Sequence, residues 1–159
     1  MMNKVKLFAM DVDGVLTDGG MYYSEKGEVM KKFDTRDGMG IELLRKSGII
    51  PVIITKEKSK IVLKRAEKLE IEEVHMGIQD KVGVVKKLIK KYNLGFNDVA
   101  YIGDDINDLE LLKKVGFSSA PNDAVEKVKR SVDYVSTRRG GNGAVREVID
   151  FILSKSDVV

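Results

Sequence analysis

Leu7-Phe8-Ala9-Met10-Asp11-Val12-Asp13-Gly14-Val15-Leu16-Thr17 reads as a buried strand that stops at two carboxylates and a glycine. Apolar residues run up to Asp11, Asp13 comes two positions on, and Gly14 lets the chain turn away. Residues two apart on a strand point to the same side, and a bend at Gly14 lets both carboxylates converge on one point. Open α/β sheets place their ligands at the carboxyl ends of the strands. Two carboxylates there, with nothing basic beside them in sequence, ask for a metal ion or a distant lysine. An isolated Asp-x-Asp-Gly is more often a surface turn in which Asp caps the next segment. Residues further along the chain decide between the two.

Beyond the turn, Gly19-Gly20, Met21-Tyr22-Tyr23-Ser24 and the residues up to Phe33 read as a β-hairpin over about residues 20–34, projecting beside the carboxylates. Asp37 then reads as the cap of a helix over 37–46, which Gly48 stops. Residues 49–54 form a continuous apolar run, as for a strand covered on both faces, and it ends at Thr55. An amphipathic helix is expected over 57–69, a short strand over 73–76, and a helix over 80–92 with Lys81 in its first turn. A strand over 99–102 runs into Gly103-Asp104-Asp105-Ile106-Asn107-Asp108, and helix resumes over 109–115. A strand over 117–120, a helix capped by Asn122 to about Val128, a strand over 133–135, the segment Arg138-Arg139-Gly140-Gly141-Asn142-Gly143 and a helix over 144–153 complete the chain. Strands alternate with helices throughout, so an α/β fold with a mainly parallel sheet is expected, as one domain over residues 1–159.

The 159 residues are enough for one sizeable core, and 28 basic against 25 acidic residues leave a net charge of only +3. That balance gives no case for nucleic acid as a partner. The lysine pairs, Lys31-Lys32 among them, read as solvated helix and hairpin faces. The absence of cysteine removes disulfides, thiolate metal sites and a cysteine nucleophile together. No apolar run approaches membrane-spanning length and no signal-peptide pattern opens the chain, so a cytoplasmic location is expected.

The polar groups at strand and helix ends are Asp11 and Asp13, Thr55, Lys81, and Asp104, Asp105 and Asp108. In a parallel sheet these ends share one edge, so the groups can converge. Together they suit phosphoryl transfer: an Asp nucleophile, a second carboxyl group for proton transfer, and oxygen-bound Mg²⁺ with a lysine and a hydroxyl to offset the negative charge. Taken singly, Thr55 also reads as a strand-end cap, Lys81 as a solvated helix residue, and the acidic cluster as helix capping. Three carboxylates in five residues exceed what capping needs. His75, the sole histidine, stands apart and reads as structural.

With these residues the chain resembles the haloacid dehalogenase superfamily of phosphatases. Asp11-Val12-Asp13-Gly14-Val15 is similar to its first motif, Thr55 to its second, Lys81 to its third, and Gly103-Asp104-Asp105-Ile106-Asn107-Asp108 to its fourth. The resemblance implies a Rossmann-like three-layer fold. It implies Asp11 as nucleophile, Asp13 as general acid and base, and Mg²⁺ on Asp11, Asp104 and the backbone carbonyl of Asp13. Thr55 and Lys81 would hold the phosphate, with Asp105 and Asp108 acting from behind.

Further matches, Phe33-Asp34-Thr35-Arg36-Asp37-Gly38-Met39-Gly40 and Arg139-Gly140-Gly141-Asn142-Gly143-Ala144-Val145-Arg146-Glu147 among them, resemble the capless branch that dephosphorylates 3-deoxy-2-keto sugar acids. This implies 3-deoxy-D-manno-octulosonate 8-phosphate as substrate and a homotetramer whose packed hairpins close each site. Arg138 and Arg139 would meet the sugar-acid carboxylate, or are plain surface charge. Lys56-Glu57 stands where the octulosonate branch commonly has Gly-Arg. Glu57, Arg65 and Lys68 on one helix face would instead resemble the N-acylneuraminate 9-phosphate phosphatases. The readings from other classes are a phospho-accepting receiver switch, which normally carries its phosphorylated Asp on a later strand, and a non-catalytic tetramerisation scaffold.

Overall fold

The computed structural model describes residues 4–156, so the domain ends expected at residues 1 and 159 lie outside it. In chain order the elements are β1 (Leu7–Met10), a hairpin of β2 (Tyr22–Ser24) and β3 (Gly27–Met30), α1 (Thr35–Lys46), β4 (Ile50–Ile54), α2 (Lys60–Lys68), β5 (Glu73–His75) and α3 (Lys81–Lys91). Next come β6 (Val99–Ile102), α4 (Leu109–Leu112), β7 (Phe117–Ala120), α5 (Glu126–Lys129), β8 (Tyr134–Val135) and α6 (Ala144–Ser156). Six strands form one sheet in the order β5-β4-β1-β6-β7-β8, and every pairing in it is parallel.

The apolar run of β1 is continuous because both of its faces are covered. Phe8 and Met10 pack with Ile41 and Leu44 of α1 and Val148 and Ile149 of α6. Leu7 and Ala9 face the opposite layer, with Val85 and Leu88 of α3 and Leu111 and Leu112 of α4. Each such large side chain contributes about 1.5–3 kcal/mol when fully buried. The result is the expected three-layer α/β sandwich. Its chain order reverses at β1, which lies between β4 and β6, so Asp11 emerges at the topological switch point of the carboxyl edge.

Several local expectations are corrected. Asp34, not Asp37, caps α1, accepting the Arg36 N–H at 2.8 Å. Asp37 is buried in the first turn and accepts the Arg146 N–H at 2.9 Å, which ties α1 to the start of α6. Burial pushes its carboxyl up to about 6. Ser59 caps α2, so residues 57–59 precede the helix instead of opening it. Asn122 is no cap: residues 121–124 turn, with the Ala124 N–H on the Pro121 carbonyl at 3.1 Å, and α5 starts behind Val125. After the acidic cluster, a 3-10 turn over Ile106–Asp108 precedes a helix of a single turn, shorter than the periodicity predicts.

The hairpin stands apart from the main sheet, and a Thr17–Phe33 bridge closes its base. Its residues Tyr23 and Val29 are 65% and 55% exposed. Only this hairpin and α1 separate β1 from β4, and α2 and β5 separate β4 from Lys81, so no inserted domain covers the carboxyl edge among the described residues. No helix among them is long and apolar enough to cross a membrane.

Candidate active site

Asp11 leaves β1 still held to the sheet, its N–H on the Ile102 carbonyl at 3.2 Å and its carboxylate accepting the Val12 N–H at 2.8 Å. The turn beyond it passes through Asp13 in extended conformation and Gly14 at φ +80°. The Thr17 hydroxyl oxygen accepts the N–H groups of Gly14 and Gly19, each at 3.2 Å. A side chain on Gly14 would strike the Asp104 carboxylate. Glycine therefore serves two ends here, the left-handed turn and the close approach of the acidic loop after β6.

Lys81 is only 4% exposed, which overturns its reading as a solvated residue. Its ammonium lies 3.1 Å from Asp11 Oδ2 and 2.7 Å from Asp108 Oδ1. Asp108 is wholly buried, and its Oδ1 also accepts the Tyr101 hydroxyl at 2.6 Å. Its Oδ2 accepts the N–H groups of Asp104 and Asp105 at 2.9 and 3.2 Å. Asp108 thus shapes the acidic loop and aims the lysine. Tyr101, a partner in this network, carries no sequence signal beyond membership of a buried strand.

Carboxylate oxygens of Asp11, Asp104 and Asp108 come within 4.8 Å of one another. Burial, reinforced by the Asp108 charge, pushes the Asp11 carboxyl up to about 7 against the pull of Lys81. Burial and the charges of Asp11 and Asp108 push Asp104 up to about 8. Burial alone would pull the Lys81 ammonium down, but its two carboxylate partners outweigh that and raise it. A crowded, dehydrated set of hard oxygen donors fits a hard divalent cation. Both Asp108 oxygens are already engaged by the four donors above, which leaves Asp11 and Asp104 as the carboxylates to meet such an ion.

A cavity of about 270 Å³ opens at this edge, lined by Asp11, Asp13, Thr55, Glu57, Asp104 and Asp105 among others. Thr55 is buried, with its N–H on the His75 carbonyl at 2.9 Å and its own carbonyl accepting the Ile78 N–H at 3.1 Å. His75 itself pairs with Glu73 at 2.9 Å, a structural role as expected. Asp13 meets Lys31, whose ammonium lies 2.7 Å from Asp13 Oδ1 and 2.9 Å from Glu28. Lys31 is buried, so its reading as part of a solvated pair is wrong. A lysine in a polar hairpin has no periodicity that betrays such burial.

The remaining candidates divide. Glu57 lines the cavity, but Arg65 and Lys68 border a separate groove between α1 and α2. The three do not share a helix face, because α2 begins only at Lys60. Arg65 lies 5.3 Å from the Phe33 ring centroid and donates to the Asp34 carbonyl at 3.1 Å. Arg139 meets Asp123 at 3.4 Å beside Asp18 and Lys32, in a neighbouring groove. Arg138 donates its backbone N–H to Ser136 at 3.0 Å. The glycines after these arginines pack closely on the turn beyond β1. A side chain on Gly140 would strike the Gly14 carbonyl, and one on Gly141 the backbone of Asp18, so this segment braces the turn that carries Asp13.

The model of the haloacid dehalogenase-like hydrolase family matches residues 52–149. The 3-deoxy-D-manno-octulosonate 8-phosphate phosphatase of Escherichia coli is 41% identical over 149 residues, 94% of this chain and 79% of that protein. The chain belongs to the haloacid dehalogenase-like hydrolases. Among solved structures, the 3-deoxy-D-manno-octulosonate 8-phosphate phosphatase of Moraxella catarrhalis, in complex with magnesium, phosphate and KDO, is 42% identical at a TM-score of 0.92, over 95% of this chain and 87% of that one. The cobalt-bound form of the corresponding Haemophilus influenzae phosphatase is 38% identical at a TM-score of 0.92, over 95% and 88%. The expectation of a phosphoric monoester hydrolase is met by this family and these relatives, and the receiver-switch reading falls with it.

Proposed function

We propose that this chain is a Mg²⁺-dependent phosphatase of 3-deoxy-2-keto sugar-acid phosphates, with 3-deoxy-D-manno-octulosonate 8-phosphate as its substrate. The observation that carries the reading is the buried contact of Lys81 with Asp11 and Asp108, beside Asp104, at the open edge of the sheet. It supplies a nucleophile, a fixed positive charge and cation ligands at one point. The substrate comes from the 41% identity to an octulosonate phosphatase.

Asp11 attacks phosphorus and becomes an aspartyl phosphate. The phosphorus–oxygen ester bond breaks, its electron pair goes to the leaving oxygen, and Asp13 gives that oxygen a proton. Asp13 then takes a proton from water as the water attacks the same phosphorus, which releases phosphate and frees Asp11. Lys81 and the Thr55 hydroxyl stabilise the charge on the transferring group. Asp11, Asp104 and the backbone carbonyl of Asp13 would hold Mg²⁺, which offsets the repulsion between an anionic nucleophile and an anionic ester. Asp108 acts from behind by aiming Lys81, while Asp105, at the cavity wall, accepts the Ile106 N–H at 2.7 Å and holds the acidic turn.

The exposed apolar hairpin fits packing between copies in a homotetramer, where neighbours close the open sites and Arg138 and Arg139 meet the sugar-acid carboxylate. A cytoplasmic setting fits a small phosphorylated metabolite as substrate. One observation favours a second reading, the nine-carbon N-acylneuraminate 9-phosphate: Glu57 stands in the cavity beside Thr55. Phosphate release with Mg²⁺ from the two esters, side by side, tests both. Preference for the octulosonate ester supports the first reading. Preference for the nine-carbon ester replaces it and makes Glu57 a specificity residue. No release from either refutes both.

A further inference from the structure

We propose that Lys31, braced by Glu28, is a positioning residue that ties the hairpin to Asp13 and holds its carboxyl group in line for proton transfer. The inference rests on the role given to Asp13 above. Asp13 needs such support. It sits in extended backbone just before the left-handed Gly14, and its side chain is 30% exposed at the cavity edge. A short carboxylate so placed has alternative rotamers open to it. Among the described residues, Lys31 is the one side chain that bonds the Asp13 carboxylate.

The lysine side chain is 1% exposed, so its long stem is fixed and its ammonium is taken from water. Asp13 keeps part of its surface in water while the ammonium does not, so the lysine is the fixed member of the pair and the carboxylate the group it holds. Lys31 bonds Oδ1 of Asp13, so the proton given to the leaving oxygen falls to Oδ2. Glu28 holds the same ammonium at 2.9 Å from within the hairpin. It keeps the cation from swinging towards the phosphate or Asp11. Residues 28 and 31 belong to the hairpin, while Asp13 belongs to the β1 turn. The position of the flap thereby sets the position of the acid.

The test compares kcat/KM for an alkyl ester, 3-deoxy-D-manno-octulosonate 8-phosphate or whichever sugar-acid phosphate the enzyme prefers, with kcat/KM for p-nitrophenyl phosphate. This parameter covers steps only up to departure of the leaving group, so the later work of Asp13 on water does not enter. The alkyl oxygen must be protonated as it leaves; p-nitrophenolate departs without a proton. Lys31→Met should lower kcat/KM for the alkyl ester by about tenfold or more, but for p-nitrophenyl phosphate by less than about threefold. Glu28→Gln should show the same selectivity at smaller size. Lys31→Arg, which keeps charge and donors, should move the ratio back towards wild type. The aryl arm also shows that each variant is folded with a working nucleophile. Equal losses on both esters, a rise in KM alone, or no loss on the alkyl ester would overturn the proposal. A wild-type enzyme that releases phosphate from no ester would instead refute the phosphatase reading on which it stands.

Discussion

Removal of the Asp108 carboxylate tests how the site is held. Asp108 accepts four hydrogen bonds with no exposure, from Lys81 at 2.7 Å, Tyr101 at 2.6 Å, and the N–H groups of Asp104 and Asp105 at 2.9 and 3.2 Å. In Asp108→Ala the two backbone donors and the tyrosine hydroxyl lose their partner, at about 1–3 kcal/mol for each group left unsatisfied. Lys81 keeps Asp11 but loses its shorter carboxylate contact, and breaking a buried ion pair costs about 3–5 kcal/mol. These costs overlap and do not add in full. Asp108 also repels Asp11 and Asp104. Relief of that repulsion offsets a fraction only, since the raised carboxyls of the metal-free protein are already partly protonated near neutral pH. The net loss is about 3–5 kcal/mol. At about 2–4 °C per kcal/mol for a chain of this size, the melting temperature should fall by about 10 °C. Asp108→Asn should not rescue it: either orientation of the amide turns its NH₂ towards donors. The assay is thermal unfolding by circular dichroism in EDTA for the wild type and both variants. A fall below about 3 °C in both would refute the reasoning.

Three further outcomes are expected. Asp11→Asn should abolish phosphate release while the metal-free protein melts no lower than wild type, because a buried acid pushed up to about 7 is replaced by a neutral amide; residual turnover would unseat Asp11 as nucleophile. Gly14→Ala should cost about 1–2 kcal/mol for its left-handed backbone and, by pushing Asp104 aside, weaken Mg²⁺ binding by calorimetry; unchanged Mg²⁺ affinity would count against Asp104 as a ligand. Asp11 and Asp104 have folded pKa values of about 7 and about 8, above the ordinary 3.8. Their contribution to stability is therefore fully present below about pH 4 and is lost as pH rises through 7 to 8. On the proposed assignment Mg²⁺ binds the ionised pair, so it should raise the melting temperature more at about pH 9 than at about pH 6. A larger Mg²⁺ effect at the lower pH would contradict the assigned ligands.

The parallel sheet, the strand ends and the placement of Asp11, Thr55, Lys81 and the acidic cluster on one edge were legible in the sequence, because they depend on local punctuation. Apolar runs of strand length stop at polar residues, and glycines mark the turns. Helix starts were less legible. Asp34 and Asp37 are both good caps, and only the packing of α1 against α6 decides that Asp37 is buried on the Arg146 N–H. The Glu57, Arg65 and Lys68 face failed for a similar reason: Ser59 caps α2 and leaves Glu57 in the loop.

What the sequence determined by itself was the set of chemical groups and their order, since apolar runs of strand length and the polar residues and glycines that stop them are read from local sequence. The tertiary structure alone decided which charges left water. Lys31 and Lys81 look like any of the chain's many lysines until long-range packing places each against carboxylates. Asp13 and Lys31 lie 18 residues apart, and Lys81 and Asp108 lie 27 apart. No local pattern records a pairing across such distances, because desolvation depends on everything that surrounds a group in space.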